Sequence, residues 1–180
     1  YQGDYLQSSE YYLNKLEKNP DDPILQYNYG TSAYKNSMMD EAISAFSKAL
    51  KSADVNLQEK AYFNRGNSYY RKGAEMAQGD KNGAIEQWTQ ALESIESALK
   101  LNPDRIETKN NYEVVKRQLE ELKKQQEQDN KEQKQNQQNE QDEQNQDDGQ
   151  KQEKQQNDNS QQNMNEEQSS EGAKTPEQGE

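Results

Sequence analysis

Apolar and small residues recur at intervals of three and four along PILQYNYGTSAYKNSMMDEAISAFSKALKSADVN, from Pro23 to Asn56, which is the spacing of one face of an α-helix. Small side chains stand where two helices must touch (Gly30, Ala33, Ala42, Ala49), and larger ones fill the space between (Tyr29, Ile43, Phe46, Leu50). Lys35 to Asp40 supplies a short turn. The pattern predicts a helical hairpin. One such hairpin cannot bury its apolar face alone, so neighbours of similar pattern are expected.

Upstream, Gly3-Asp4-Tyr5 reads as a turn, and Tyr5, Ser8, Tyr12 and Leu16 fall on one helical face that Asn19-Pro20 ends. Asp21 or Asp22 caps the next helix, with Pro23 in its first turn. Downstream, NLQEKAYFNRGNSYYRKG aligns Gly66 with Gly30, but the spacing then breaks. Gly30 precedes Ala42, Phe46 and Ala49, whereas the matching triple after Gly66 is Ala84, Trp88 and Ala91, with six residues added; the same offset then repeats seven residues on as Ala91, Ile95 and Ala98. Ala74 to Gly79 lengthens the first arm and a similar insertion lengthens the second, so both arms of an antiparallel hairpin gain about two turns. Gly79-Asp80-Lys81-Asn82-Gly83 is the expected turn, and Leu101-Asn102-Pro103-Asp104 the end of the repeat. A last helix follows, with Ile106, Tyr112, Val115, Leu119 and Leu122 on its buried face.

The hairpin resembles a tetratricopeptide repeat, whose period is about 34 residues; the matching positions are Gly30, Ala42, Phe46 and Ala49. Gln26 replaces the usual large apolar residue, and Asp54 the usual closing Pro. The resemblance implies an all-α, right-handed helical-hairpin solenoid. It divides the chain into the second helix of an incomplete repeat (1–20), a repeat (21–56), a lengthened repeat (57–103), a capping helix (104–124) and a disordered tail (125–180). The partner of the first helix is expected before Tyr1, in a longer or unprocessed chain. GNSYYRKG, then GAIEQWTQALESIESALKLNPD, then NNYEVVKRQLEELKKQQ and a Gln-rich tail are similar to repeat proteins of the bacterial aerotolerance (Bat) type. Those accompany membrane proteins bearing von Willebrand factor A domains. The implied place is the bacterial cell envelope, periplasmic or associated with the inner membrane; the cytoplasm is the alternative.

Composition separates two materials. Of the formal net charge of −12, residues 1–124 hold −2 and residues 125–180 hold −10. After Tyr112 there is no aromatic residue, and after Leu122 only Met164 and Ala173 are apolar, so the tail cannot offset the entropy of ordering. It reads as an entropic spacer or as a polyanionic segment for basic partners. Basic residues alternate with acids, which argues against nucleic acid. No apolar run approaches the roughly 20 residues of a membrane span. With neither His nor Cys, the commonest bases, nucleophiles and transition-metal ligands are missing. Glu120-Glu121 and Asp21-Asp22 read as solvated pairs, and the turn at Gly79 lacks the ligand series of a calcium loop. No enzyme activity, metal or cofactor is expected.

The remaining chemistry is binding. By the resemblance, the inner surface of the solenoid presents Tyr27, Thr31, Tyr34 and Lys35 in one repeat, Phe63, Asn67, Tyr70 and Arg71 in the next, and Asn110, Val114 and Arg117 on the last helix. Asn28, Asn64 and Asn111 can bond an extended ligand's backbone, and Lys35, Arg71 and Arg117 can meet a carboxylate. The same aromatics can equally be packing residues and the amides local caps. Tyr27 and Thr31 replace the Lys and Asn of the carboxylate clamp found in some relatives. Ala84, Trp88, Ala91, Ile95 and Ala98 read as core. The expected function is that of an adaptor for a protein or peptide, with von Willebrand A-domain proteins as partners. The alternatives are a chaperone-like repeat protein for secretion substrates, or the repeat segment of a longer membrane protein or enzyme.

Overall fold

The computed structural model describes residues 2–137, with side chains from Tyr5 onward. Two compact units divide the chain, Tyr1–Glu127 and Gln128–Glu180. The first unit holds α1 (Gln2–Lys18), α2 (Pro23–Lys35), α3 (Met39–Ala49), α4 (Val55–Met76) and α5 (Lys81–Leu101), then α6 over residues 106–127. In the second unit the described residues, 128–137, are helical too. There is no strand among the described residues. Each of the first five helices packs on the next, and α2 also touches α4. This neighbour and next-but-one pattern is a stack of antiparallel hairpins, the all-α solenoid that the resemblance implies.

Aspartates set where three helices begin. Asp22 Oδ1 accepts from the backbone N–H groups of Ile24 (2.9 Å) and Leu25 (3.1 Å), with Pro23 at the first helical position. Asp54 Oδ1 accepts from the N–H of Asn56 (2.9 Å), and Asp80 Oδ1 from that of Gly83 (2.8 Å). Each satisfies an amide that the helix leaves open. Asp54 thus caps α4 where the repeat pattern has Pro. Gln26, buried where that pattern has a large apolar residue, donates its Nε2 to the Pro20 carbonyl at 2.8 Å, tying α2 to the turn before it. Between α2 and α3 the chain reverses at Ser37, with φ 61°. Asn36 in that turn donates to the Tyr5 carbonyl and to Ser9 Oγ, both at 2.9 Å, which fixes α1.

Both hairpins close by one device, a glycine facing a large side chain. A Cβ at Gly30 would lie 2.9 Å from the Phe46 ring. At Gly66 it would lie 2.6 Å from Ile95 Cγ1 and 3.1 Å from the Ala91 carbonyl oxygen, and at Gly73 it would collide with the Trp88 indole. The equivalent of the Ala42-Phe46-Ala49 triple is therefore Ala91-Ile95-Ala98. Trp88 pairs with Gly73 seven residues farther out, so the register through Ala84, Trp88 and Ala91 opposite Gly66 is corrected. Ala42, Phe46, Ala49, Ala84, Trp88, Ala91, Ile95 and Ala98 are all buried; Pro103 lies exposed in the turn before α6. The extension is real in both arms: α4 has 22 residues against 13 in α2, and α5 has 21 against 11 in α3. One core joins Trp88, Ile95, Val115, Leu119 and Leu122 across α5 and α6, and another gathers Ala33, Ala42 and Phe46.

Four expectations change. Helix α1 already includes Gly3 and Asp4, because Asp suits a helix N-terminus and Gly costs least where the helix frays. The long hairpin turns over Ala77–Asp80, since Asp80 caps a helix that begins at Lys81. Ile106 is 72% exposed, and Thr108 takes its place on the buried stripe with Val115, Leu119 and Leu122. Residues 125–127 extend α6, and the described residues of the second unit are helical as well, in runs of Gln, Glu and Lys with good intrinsic helix propensity; Gln126 Nε2 donates to Asn82 Oδ1. The rest of the expected tail lies outside the described residues.

Candidate functional site

Side chains bridge α2, α4 and α6 along one shared face. Asn64 Nδ2 donates to the Tyr27 hydroxyl (3.0 Å), Asn111 Nδ2 donates to Asn67 Oδ1 (2.9 Å), and the Tyr70 hydroxyl donates to Gln118 Oε1 (2.6 Å). The positions follow from helix period: Asn64, Asn67 and Tyr70 lie three apart on α4, near one line along the helix. Arg71, next on α4, donates from Nη1 to the Tyr34 carbonyl and from Nη2 to Ser37 Oγ, both at 3.1 Å, with its guanidinium 4.9 Å from the Tyr34 ring centroid. A cation there meets the carbonyl end of α2.

Between these bridges lies a cavity of about 330 Å³. Six of the expected groove residues line it: Tyr34, Asn67, Tyr70, Arg71, Asn111 and Val114. Glu107 and the largely buried Val115 complete the wall. The Asn67–Asn111 pair keeps one free donor group, on Asn67, and one free acceptor, on Asn111. That is the complement of a single peptide unit.

The other expected groove residues stand elsewhere. Phe63 is buried beneath the Arg105 guanidinium, 4.3 Å from its ring centroid. Tyr27 is half-buried, with its ring 5.7 Å from that of Phe46, and Thr31 Oγ1 donates to the Tyr27 carbonyl within α2. Asn28 is half-buried, and Lys35, Asn110 and Arg117 are exposed outside the cavity wall. On α6 the wall follows Glu107, Asn111, Val114 and Val115, with Gln118 bonded to Tyr70 just beyond it, whereas the expected line ran through Asn110, Val114 and Arg117 beside Asn111. One residue turns a helix by about 100°, enough to move Asn110 and Arg117 off the face. Gln118 was legible as the polar position one helical repeat beyond Asn111, beside the apolar stripe.

A half-buried Arg105 bridges a buried Glu59 and an exposed Glu107 at the start of α6. Arg105 Nη1 contacts both oxygens of Glu59, at 2.9 and 3.1 Å, and Nη2 contacts Glu107 at 2.9 Å. Burial alone would lower the Arg105 pKa; hydrogen bonds and charge from Glu107 and Glu59 outweigh it and raise the pKa. Glu107 is thereby held at the cavity rim.

Residues 1–56 match a tetratricopeptide-repeat model. Among solved structures, the chain is similar to one described as the first TPR of Spaghetti (RPAP3) bound to the HSP90 peptide SRMEEVD. The identity is 21%, the TM-score 0.51, and the match covers 66% of this chain and 82% of that one. A search of curated proteins finds no match. The fold is that of tetratricopeptide-repeat proteins. Among the described residues no helix is long and apolar enough to cross a membrane.

Proposed function

We propose that the chain is a non-enzymatic interaction module that binds an extended segment of a partner protein along the face shared by α2, α4 and α6. The observation that carries this reading is the cavity between Tyr34, Arg71, Asn67, Asn111 and Val114, where a cation, an apolar wall and a mutually bonded amide pair with donor and acceptor capacity to spare converge. Ligand sites combine an apolar surface with a few such polar groups. The similar structure holds a peptide, which supports the same use of the fold here. The segment GNSYYRKG, the Trp88 helix and the Gln-rich continuation support a finer reading. In it, the module serves a Bat-type complex at the bacterial cell envelope, with von Willebrand A-domain membrane proteins as partners.

The test is affinity capture from host envelope and soluble fractions with the full chain, beside the Asn67→Ala/Asn111→Ala double variant. One stoichiometric membrane partner, lost with the double variant while the helical circular dichroism is kept, is the expected result. Equal capture by both proteins overturns the groove, and a spread of unfolded proteins points to a chaperone.

A further inference from the structure

The lengthened hairpin creates a second cavity. Beyond Arg71, α4 carries Gly73 and Ala74, and Ala77 caps its end. The two alanines are too small to fill the space toward α6, and the result is a cavity of about 410 Å³. Its floor is Tyr70, Trp88 and Leu122, and Gln78, Gln118 and Gln125 stand around it. The floor is locked in place: the Tyr70 and Trp88 rings lie 6.0 Å apart, and Trp88 Nε1 donates to the Tyr70 carbonyl at 3.0 Å. Tyr70 also lines the first cavity, and its bond to Gln118 stands at the junction.

We propose that this cavity is a second subsite for the same peptide, taking an apolar side chain that is followed by a Lys or Arg. The inference rests on the groove reading above and specifies its ligand. Among the described residues neither Lys nor Arg lines the cavity, and the one formal charge there is Glu121. An acidic ligand segment would therefore meet a like charge, whereas a cation would meet an opposite one. The aromatic and aliphatic floor favours an apolar side chain, and the three carboxamides offer donors and acceptors for the main chain around it. The first cavity differs in containing Arg71. A ligand spanning both presents a polar stretch to the first cavity and an apolar-basic pair to the second.

Trp88 is the single tryptophan of the chain, so its emission reports on this cavity. The full chain is titrated with acetyl-Gly-Gly-Leu-Lys-Gly-Gly-amide and with two counterparts, one replacing Leu by Ala and one replacing Lys by Glu. A saturable change in emission is expected, with affinity at least tenfold weaker for each counterpart. Ala77→Leu fills the cavity and is expected to weaken binding at least tenfold without lowering the melting temperature. Glu121→Gln is expected to abolish the preference for Lys over Glu. No saturable emission change, equal affinity for the counterparts, or undiminished binding by Ala77→Leu would overturn the subsite. Capture of a partner that survives Ala77→Leu but not Asn67→Ala/Asn111→Ala would do so too, while leaving the groove reading in place.

Discussion

The two hairpins use one packing rule at different lengths. In the short one, a single glycine contact, Gly30 against Phe46, joins α2 and α3, and Arg71 is bonded to the Ser37 turn that links them. In the long one, α4 and α5 meet at two levels, Gly66 against Ile95 and Gly73 against Trp88. Repeating the rule two turns farther out keeps both arms in register, because seven residues return to nearly the same helix face. The difference lies in what covers the outer level. The inner contacts are enclosed by neighbouring helices, whereas the outer level faces α6 across small residues and leaves the second cavity. Lengthening a repeat added surface chemistry without changing the packing rule.

The largest test of this comparison truncates the large member at each level. Phe46→Ala is expected to cost about 4 kcal/mol and Trp88→Ala about 3 kcal/mol, within the range for buried aromatics, read from denaturant midpoints. The inverse order would mean that the outer level, and not the inner one, holds the stack together. Next comes the small member. Gly66→Leu must displace Ile95 and press on the Ala91 carbonyl, and overpacking of this kind costs roughly 1–3 kcal/mol. Gly79 has open space around its Cβ position, so Gly79→Ala serves as the control, with a change within about 0.5 kcal/mol. Similar losses for both would remove the glycine contacts as the basis of the alignment.

The smallest effect is a titration. The Tyr112 hydroxyl donates to Glu96 Oε1 at 2.9 Å, and this bond, with burial and the charges of Glu96 and Glu113, raises its pKa. Burial and then Glu41 raise that of Tyr29, in the short hairpin. A raised folded-state pKa means stability fully present below the ordinary tyrosine value of about 10 and lost as pH climbs through the folded value. Ultraviolet difference titration is expected to show Tyr112→Phe and Tyr29→Phe each removing a late-ionising phenol. Loss of an early one would place the side chain in solvent.

Much of this architecture was legible in the sequence because it depends on local chemistry. The three-and-four spacing, the small residues opposite large ones, and the aspartate before each of three helices all act within a turn or two of chain. The matched lengthening of both arms could be read as well, since unequal arms would have left one end unpaired. Sequence alone could not choose between Trp88 and Ile95 as the partner of Gly66. Both lie on one face of α5 seven residues apart, and only the docking of the two helices decides which glycine each one meets. On α6 the period itself decides: at about 100° per residue Ile106 lies on the side opposite Val115, whereas Thr108 shares the inner face with Val115, Leu119 and Leu122, and the apolar character of Ile106 misled the sequence reading. Groove residues were harder still: Asn110 and Asn111 are neighbours in sequence, but the rotation of α6 about its axis, fixed by Val115, Leu119 and Leu122 in the core, turns one toward the cavity and the other to solvent. Identity and period belong to the chain; the rotation of each helix belongs to the contacts that bury its far side.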